Sequence, residues 1–186
     1  MLTVGIDEVG RGCWAGPLVA GAVILDRPLA GLKDSKLLSK SQRAKLDKLI
    51  RLQSRAIGLG WVTPKEIDRI GLSQAVSLAM ERALGEIMIE YGEIVIDGNV
   101  NFLPKYKNAR TLVRADNLVA CVSAASIVAK QARDNWMINV AARKFPQYGF
   151  DKHVGYGTLL HRQALASHGI SEIHRKSFKP IALLLG

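Results

Sequence analysis

Cysteine is nearly absent. Cys13 and Cys121 are the only two in 186 residues, too few and in segments too apolar for a disulfide framework or a zinc site. They suit buried thiols in a reducing compartment, and a cytoplasmic protein is expected. No basic segment precedes the first apolar run, which meets Asp7 and Glu8 at once, so a secretory signal is not expected. The longest uncharged stretch, Gly12 to Leu25, is too short to span a bilayer and is broken by Gly16 and Pro17, which argues against a membrane partner. Aromatic residues make up 6% of the chain, a poor supply for a stacking platform that holds single strands. Acidic residues are outnumbered, sixteen against twenty-six Lys and Arg, for a formal net charge of +10 and a pI near 9.9. That excess suits a phosphate-rich partner, although solubility alone could account for it.

What is present is a globular chain. The 48% hydrophobic content and the length fit one α/β domain over residues 1–186, without repeats or linkers. Leu2 to Ile6, Leu18 to Leu25 and Arg55 to Val62 have the character of strands, the first two joined by a glycine-rich turn. Ser39 and Thr63-Pro64 are helix starts, and apolar spacing predicts a helix from Ser73 to about Tyr91, closed by Gly92. Short strands are expected at Glu93 to Ile96 and Thr111 to Val113, followed by a long Ala-rich helix ending before Pro146. These segments make a mixed five-stranded sheet flanked by helices. Residues from about 147 to 186, dense at first in Gly, aromatic and basic residues, are expected to form a helical extension lying as a flap over one edge.

Against the basic background, the acids stand out. Asp7 ends the first strand, Asp97 ends a later one, and Asp116 lies where the next strand gives way to a helix, positions where α/β sheets build ligand sites. Singly, Asp97 suits a turn and Asp116 a helix cap. Clustered together, carboxylates raise one another's pKa unless cations neutralise them, and oxygen-only ligands select Mg²⁺ or Mn²⁺. Two such ions, about 4 Å apart, activate a water and stabilise a leaving oxygen, which is the chemistry of phosphodiester hydrolysis. Asp7 and Glu8 are strand neighbours that point to opposite faces, so they share a site only if the strand ends there or if Glu8 offers its carbonyl.

Six segments in order, Val4-Gly-Ile-Asp-Glu-Val-Gly-Arg-Gly12, Leu32-Lys-Asp-Ser-Lys-Leu37, Ile96-Asp-Gly98, Val122-Ser-Ala-Ala-Ser-Ile-Val-Ala-Lys130, Gly155-Tyr-Gly-Thr158 and His174-Arg-Lys-Ser-Phe178, resemble the motifs of bacterial ribonuclease HII. The resemblance implies a ribonuclease H-like fold. It implies a Mn²⁺- or Mg²⁺-dependent endonuclease that cuts the RNA strand of RNA·DNA hybrids and the 5′ side of ribonucleotides in duplex DNA, leaving 5′-phosphate and 3′-hydroxyl ends. Work as a monomer in ribonucleotide excision repair is expected. It implies further that Asp7, Glu8, Asp97 and Asp116 form a four-carboxylate metal and catalytic site. Gly10, Arg11 and Gly12 then detect the ribose 2′-hydroxyl through their backbone, Lys36 contacts substrate with Lys33, and Tyr156 stacks on the sugar across the scissile junction.

Asp134 lies in a further motif, Ala132-Arg-Asp134, but an unbroken helix from Asn117 would place it about 27 Å from Asp116, so a supporting role is expected. Val154 and Arg114 stand where the family commonly has lysine, changes that alter charge near the substrate but not the metal chemistry. Lys130, Arg133, Arg143, Lys144, Lys152, Arg162, Arg175, Lys176 and Lys179 are candidates for tracking phosphates, each against even odds of being a solvated surface charge. The four histidines all lie in the C-terminal part; His161 and His168 could share a helix face, in packing or capping roles. Two rival functions remain on the residues alone: a non-catalytic binder on a nuclease scaffold, and a phosphomonoesterase using the same ions.

Overall fold

The computed structural model describes residues 1–27, 29, 31–32 and 38–185. The first two apolar runs form a hairpin, β1 (Thr3–Val9) and β2 (Leu18–Leu25), with Gly5 opposite Val23 and Val9 opposite Val19. β3 (Ser54–Val62) continues the antiparallel side, while β4 (Glu93–Asp97) and β5 (Ala109–Leu112) add parallel strands on the other. The order β3-β2-β1-β4-β5 is the mixed five-stranded sheet expected from the sequence. β1 runs beyond its expected end at Ile6, because β2 keeps pairing with it through Glu8 and Val9.

Helices cover both faces. α1 (Lys40–Gln53) and α2 (Pro64–Ile70) start on capping boxes, Ser39 with Gln42 and Thr63 with Glu66, each of which satisfies two amides that a helix start leaves open. α3 (Leu72–Gly85) is shorter than its periodicity suggests. It stops at Gly85, a weak helix former, yet Ile87 beyond it is still buried, so the apolar rhythm outlasts the helix.

The long Ala-rich helix is broken near its start. α4 (Ala115–Leu118) is a single turn, Val119 is extended at φ −123° and ψ 113°, and α5 (Ala120–Trp136) sets off anew. This kink removes the straight-rod distance that separated Asp116 from Asp134.

Strand alternation sorts the sheet into two faces. Val4, Ile6, Ala20, Ala22, Ile94 and Ile96 pack against Val76, Ala79, Met80 and Ala83 of α3. Each such fully buried isoleucine contributes roughly 1.5–3 kcal/mol. The other face meets α5, which comes so close at Gly5 and Gly21 that a Cβ on either would strike the backbone of Cys121 or Ala125.

Beyond α5 a π-helical turn, Met137–Ala141, leads through α6 (Ala142–Lys144), a 3₁₀ turn at Pro146–Tyr148, α7 (Phe150–His153), α8 (Leu159–His168) and α9 (Lys179–Ala182). Met137, Tyr148, Phe150, Leu165 and Ile181 gather there into a separate apolar cluster that takes in Ala15 of the glycine-rich loop. Among the described residues no helix is long and apolar enough to cross a membrane.

Candidate active site

The parallel pairing of β1 with β4 ends at Ile6 opposite Ile96, and β4 itself ends one residue later at Asp97. Asp7 and Asp97 therefore stand side by side at the carboxyl ends of neighbouring strands. Both share the alternation of Gly5 and Val95, and so face α5. β1 overshoots β4 by Glu8 and Val9, so nothing on β4 pairs with this stretch and side chains from both its faces reach the gap. Glu8 points to the opposite face from Asp7, yet it lines the same cavity of about 430 Å³. Arg43 of α1, Ser126 and Lys130 of α5 and Tyr156 contribute the other polar side chains of its wall.

Electrostatics mark this as the place where a cation is wanted. The Asp7 carboxyl is pushed up from 3.8 to about 8, first by burial and also by the negative charges of Glu8 and Asp97. The Ser126 hydroxyl and the Glu8 amide, the latter donating to Asp7 Oδ1 at 2.8 Å, pull in the other direction without winning. Burial raises Glu8 too, opposed by Arg11, whose Nη1 lies 3.3 Å from Glu8 Oε1. The cavity also takes in the cationic side chains of Arg43 and Lys130, and its cluster of oxygen donors fits a hard divalent ion. Among the described residues no group of three His, Cys, Asp or Glu forms a ready-made cage for one. Mg²⁺ commonly takes only one or two carboxylates and completes its shell with water and substrate phosphate, so a cage is not required.

Asp116 is fully buried beside Asp97, its amide donating to Asp97 Oδ1 at 3.4 Å, but its side chain does not line the acidic cavity. Asp134 is buried one helix turn along from Lys130 and pairs with it at 2.9 Å. Lys130 in turn lies 5.6 Å over the ring of Tyr156. Tyr156 is 40% exposed at the cavity edge, and its hydroxyl is raised to about 12, chiefly by burial and by neighbouring Cys13. Lys33 and Lys36 lie outside the described residues.

The two glycines of the glycine-rich loop sit in different surroundings. Gly10 has φ +87°, and a Cβ there would meet not open space for a ribose but Arg133 Cδ at 2.8 Å and the Pro17 carbonyl at 2.9 Å. Gly12 is the open position, exposed and with nothing within 4 Å of the point a Cβ would occupy. Arg11 is exposed, and its guanidinium sits 5.2 Å over Phe102 as well as against Glu8.

Two of the candidate phosphate contacts, Arg133 and Arg175, are neither phosphate contacts nor solvated surface charges. Arg133 and Arg175 are fully buried and spend their donors on backbone carbonyls. Arg175 binds Gly16 O twice and Arg11 O once, and burial lowers its pKa to about 10. Val154, expected to be a lost surface charge, is buried in the C-terminal apolar cluster at φ +44°. His161 does not partner His168, which is exposed; its Nε2 lies 2.9 Å from His174 Nε2, and it stacks on His153 at 4.5 Å.

A mixed sheet in this order, with acids at the adjacent ends of its central parallel strands, defines a hydrolase of the ribonuclease H-like class. A sequence profile for ribonuclease HII matches residues 4–181. Ribonuclease HII of Sphingopyxis alaskensis is 48% identical over 185 residues, covering 98% of this chain and 91% of that one. The enzyme of the same name from Nitrosospira multiformis is 45% identical over 183 residues, covering 97% and 91%. The crystal structure of ribonuclease H2 from Pyrococcus horikoshii superposes with a TM-score of 0.83 at 27% identity, covering 99% of this chain and 97% of that one. The chain belongs to the ribonuclease HII family, and it is accordingly an enzyme, a ribonuclease H that acts as an endonuclease on RNA·DNA hybrids.

Proposed function

We propose that this ribonuclease also cuts duplex DNA on the 5′ side of embedded ribonucleotides, with the acids of the cavity holding two Mn²⁺ or Mg²⁺ ions and with water as nucleophile, leaving 5′-phosphate and 3′-hydroxyl ends. The observation that carries this reading is the pair Asp7 and Asp97, set side by side at the ends of β1 and β4, with Asp7 raised to about 8 by burial and by the charges of Glu8 and Asp97. Asp7, Glu8 and Asp97 would be the direct ligands, with Asp116 supporting Asp97 from behind. When bound, the ions would supply a water of lowered pKa and a Lewis acid for the leaving oxygen.

The remaining work falls to the chain itself. The backbone from Gly10 to Gly12 presents its open edge to the ribose 2′-hydroxyl, the one group that separates RNA from DNA at a given step. Tyr156 stacks on the sugar beyond the scissile bond, with Lys130 held toward it by Asp134. Lys36 adds a substrate contact, and residues 147–186 form a flap that carries Tyr156 over the duplex. A monomer acting in the cytoplasm on ribonucleotides left in DNA fits the basic surface and the reduced cysteines.

Cleavage-site mapping on a duplex with one ribonucleotide, with Mn²⁺ and Mg²⁺ in turn, tests the proposal. One cut 5′ to the ribonucleotide with a 3′-hydroxyl on the upstream product is expected. Cutting confined to continuous hybrids, or full turnover in chelator, would contradict it.

A further inference from the structure

We infer that Arg133 is a positioning residue that locks the glycine-rich loop and the Tyr156 loop into one rigid unit, so that the ribose and the sugar beyond the scissile bond are read together. Three carbonyls converge on this one guanidinium. Its Nε donates to Pro17 O at 2.8 Å and its Nη2 to Ala15 O at 3.1 Å, both from the glycine-rich loop. Its Nη1 donates to Val154 O at 2.9 Å, two residues before Tyr156. A planar fork with fixed donor directions can span two loops in this way; a lysine ammonium, compact and on a flexible stem, cannot.

Three further features make the brace rigid. The amides of Trp14 and Ala15 both donate to Gly155 O, at 2.9 and 3.3 Å, so the two loops are hydrogen-bonded directly as well. Gly10, at φ +87°, lies flat on the Arg133 stem, so the loop's first turn rests on the side chain that fixes its far end. Arg133 also belongs to α5, the helix whose Ser126 and Lys130 line the acidic cavity, and this ties the spacing between loops and acids to one element. Arg175 makes a useful contrast, since its guanidinium hydrogen bonds go to Arg11 O and Gly16 O of the glycine-rich loop and its face lies over Phe178, 5.1 Å away. Bracing one loop holds its shape, whereas bracing both sets the distance between the two readers.

The inference rests on the proposed roles of Gly12 and Tyr156 in reading the junction, and the test separates the two. kcat/KM is measured on a duplex with one ribonucleotide followed by DNA, and on a continuous RNA·DNA hybrid, for wild type, Gly12→Ala, Tyr156→Ala, Arg133→Lys and Arg133→Gln. Thermal melts confirm folding, and a Mn²⁺ titration of activity reports on the acids. For Arg133→Lys the ratio of junction to hybrid should fall on the order of 10- to 100-fold, in kcat rather than KM, the scale of a misplaced reacting group. Its Mn²⁺ midpoint should stay within about twofold, because the acids sit on β1 and β4.

A fall of both substrates in proportion for Arg133→Lys, while Gly12→Ala and Tyr156→Ala still lower the ratio, would overturn the positioning role and leave the proposed reading standing. An unchanged ratio in both Gly12→Ala and Tyr156→Ala would overturn that reading and the inference with it. Should neither Arg133 variant fold, the double variant Gly12→Ala/Tyr156→Ala decides. A ratio no lower than in the worse single variant supports one locked unit, and losses that multiply contradict it.

Discussion

Asp7 is stabilised least by its own protein and most by what it would bind. Held near 8 by burial and two neighbouring carboxylates, it resists ionising unless a cation arrives. Replacing it, Asp7→Asn, should lower kcat on a hybrid on the order of 10³-fold, the several kcal/mol that metal-ion stabilisation supplies. Duplex affinity measured by anisotropy without metal should be retained, and undiminished cleavage would remove Asp7 from the site. The same substitution should raise the melting temperature of metal-free protein at pH 8. The folded carboxyl has its pKa above the unfolded value, so stability is lost as pH climbs from about 4 toward 8, and asparagine escapes that loss. Gly12 gives the second residue-scale test. Its backbone tolerates alanine and a Cβ meets nothing, so Gly12→Ala should melt within about 2 °C of wild type, the ±0.5 kcal/mol of a neutral surface change. If the ribose lies against this edge, activity should nevertheless fall about tenfold or more. Wild-type activity would place the 2′-hydroxyl elsewhere.

At the scale of elements, strands and caps were legible because their signals are local. Ser39 and Thr63 cap the helices that follow them, and the glycine-rich turn joins the first hairpin. The ends of β1 and α3 and the break at Val119 were not legible, since they depend on what the partner strand or the packed face does beyond the segment. For the same reason, alternation left open whether Glu8 and Asp7 could share a site. The answer lies in the length of β4, which ends at Asp97 and leaves β1 overhanging. The histidine cluster is a tertiary feature of α7, α8 and the C-terminal segment, and it carries a pH signature. His161 and His174 are both held down at about 4 by burial, so below 6.5 the unfolded chain takes up protons that the fold refuses. Stability is full above 6.5 and should fall by up to about 1.4 kcal/mol per pH unit for each as pH drops toward about 4. Asp7 acts with the opposite sign over the whole of this window, so the melts belong in the Asp7→Asn protein. A profile flat from pH 7 to 5 would contradict the neutral pair.

For the molecule as a whole, the charge balance pointed to a phosphate partner, and the acids at strand ends pointed to the cavity proposed as the site of the chemistry. The charge count could not tell surface from interior. Arg133 and Arg175 look like phosphate contacts in the sequence, yet both are buried braces under the loop that Gly10 opens. Only the folded chain shows that two of the positive charges serve the shape of the site rather than its surface. The central claim is that Asp7, Glu8 and Asp97 converge to hold divalent cations beside the bond that is cut. Anomalous diffraction from crystals soaked in Mn²⁺ tests it most directly. The account predicts manganese within bonding distance of Asp7 and Asp97 in the cavity at the ends of β1 and β4, absent from Asp7→Asn crystals. Manganese bound only elsewhere, in crystals of an enzyme that still cleaves, would contradict it.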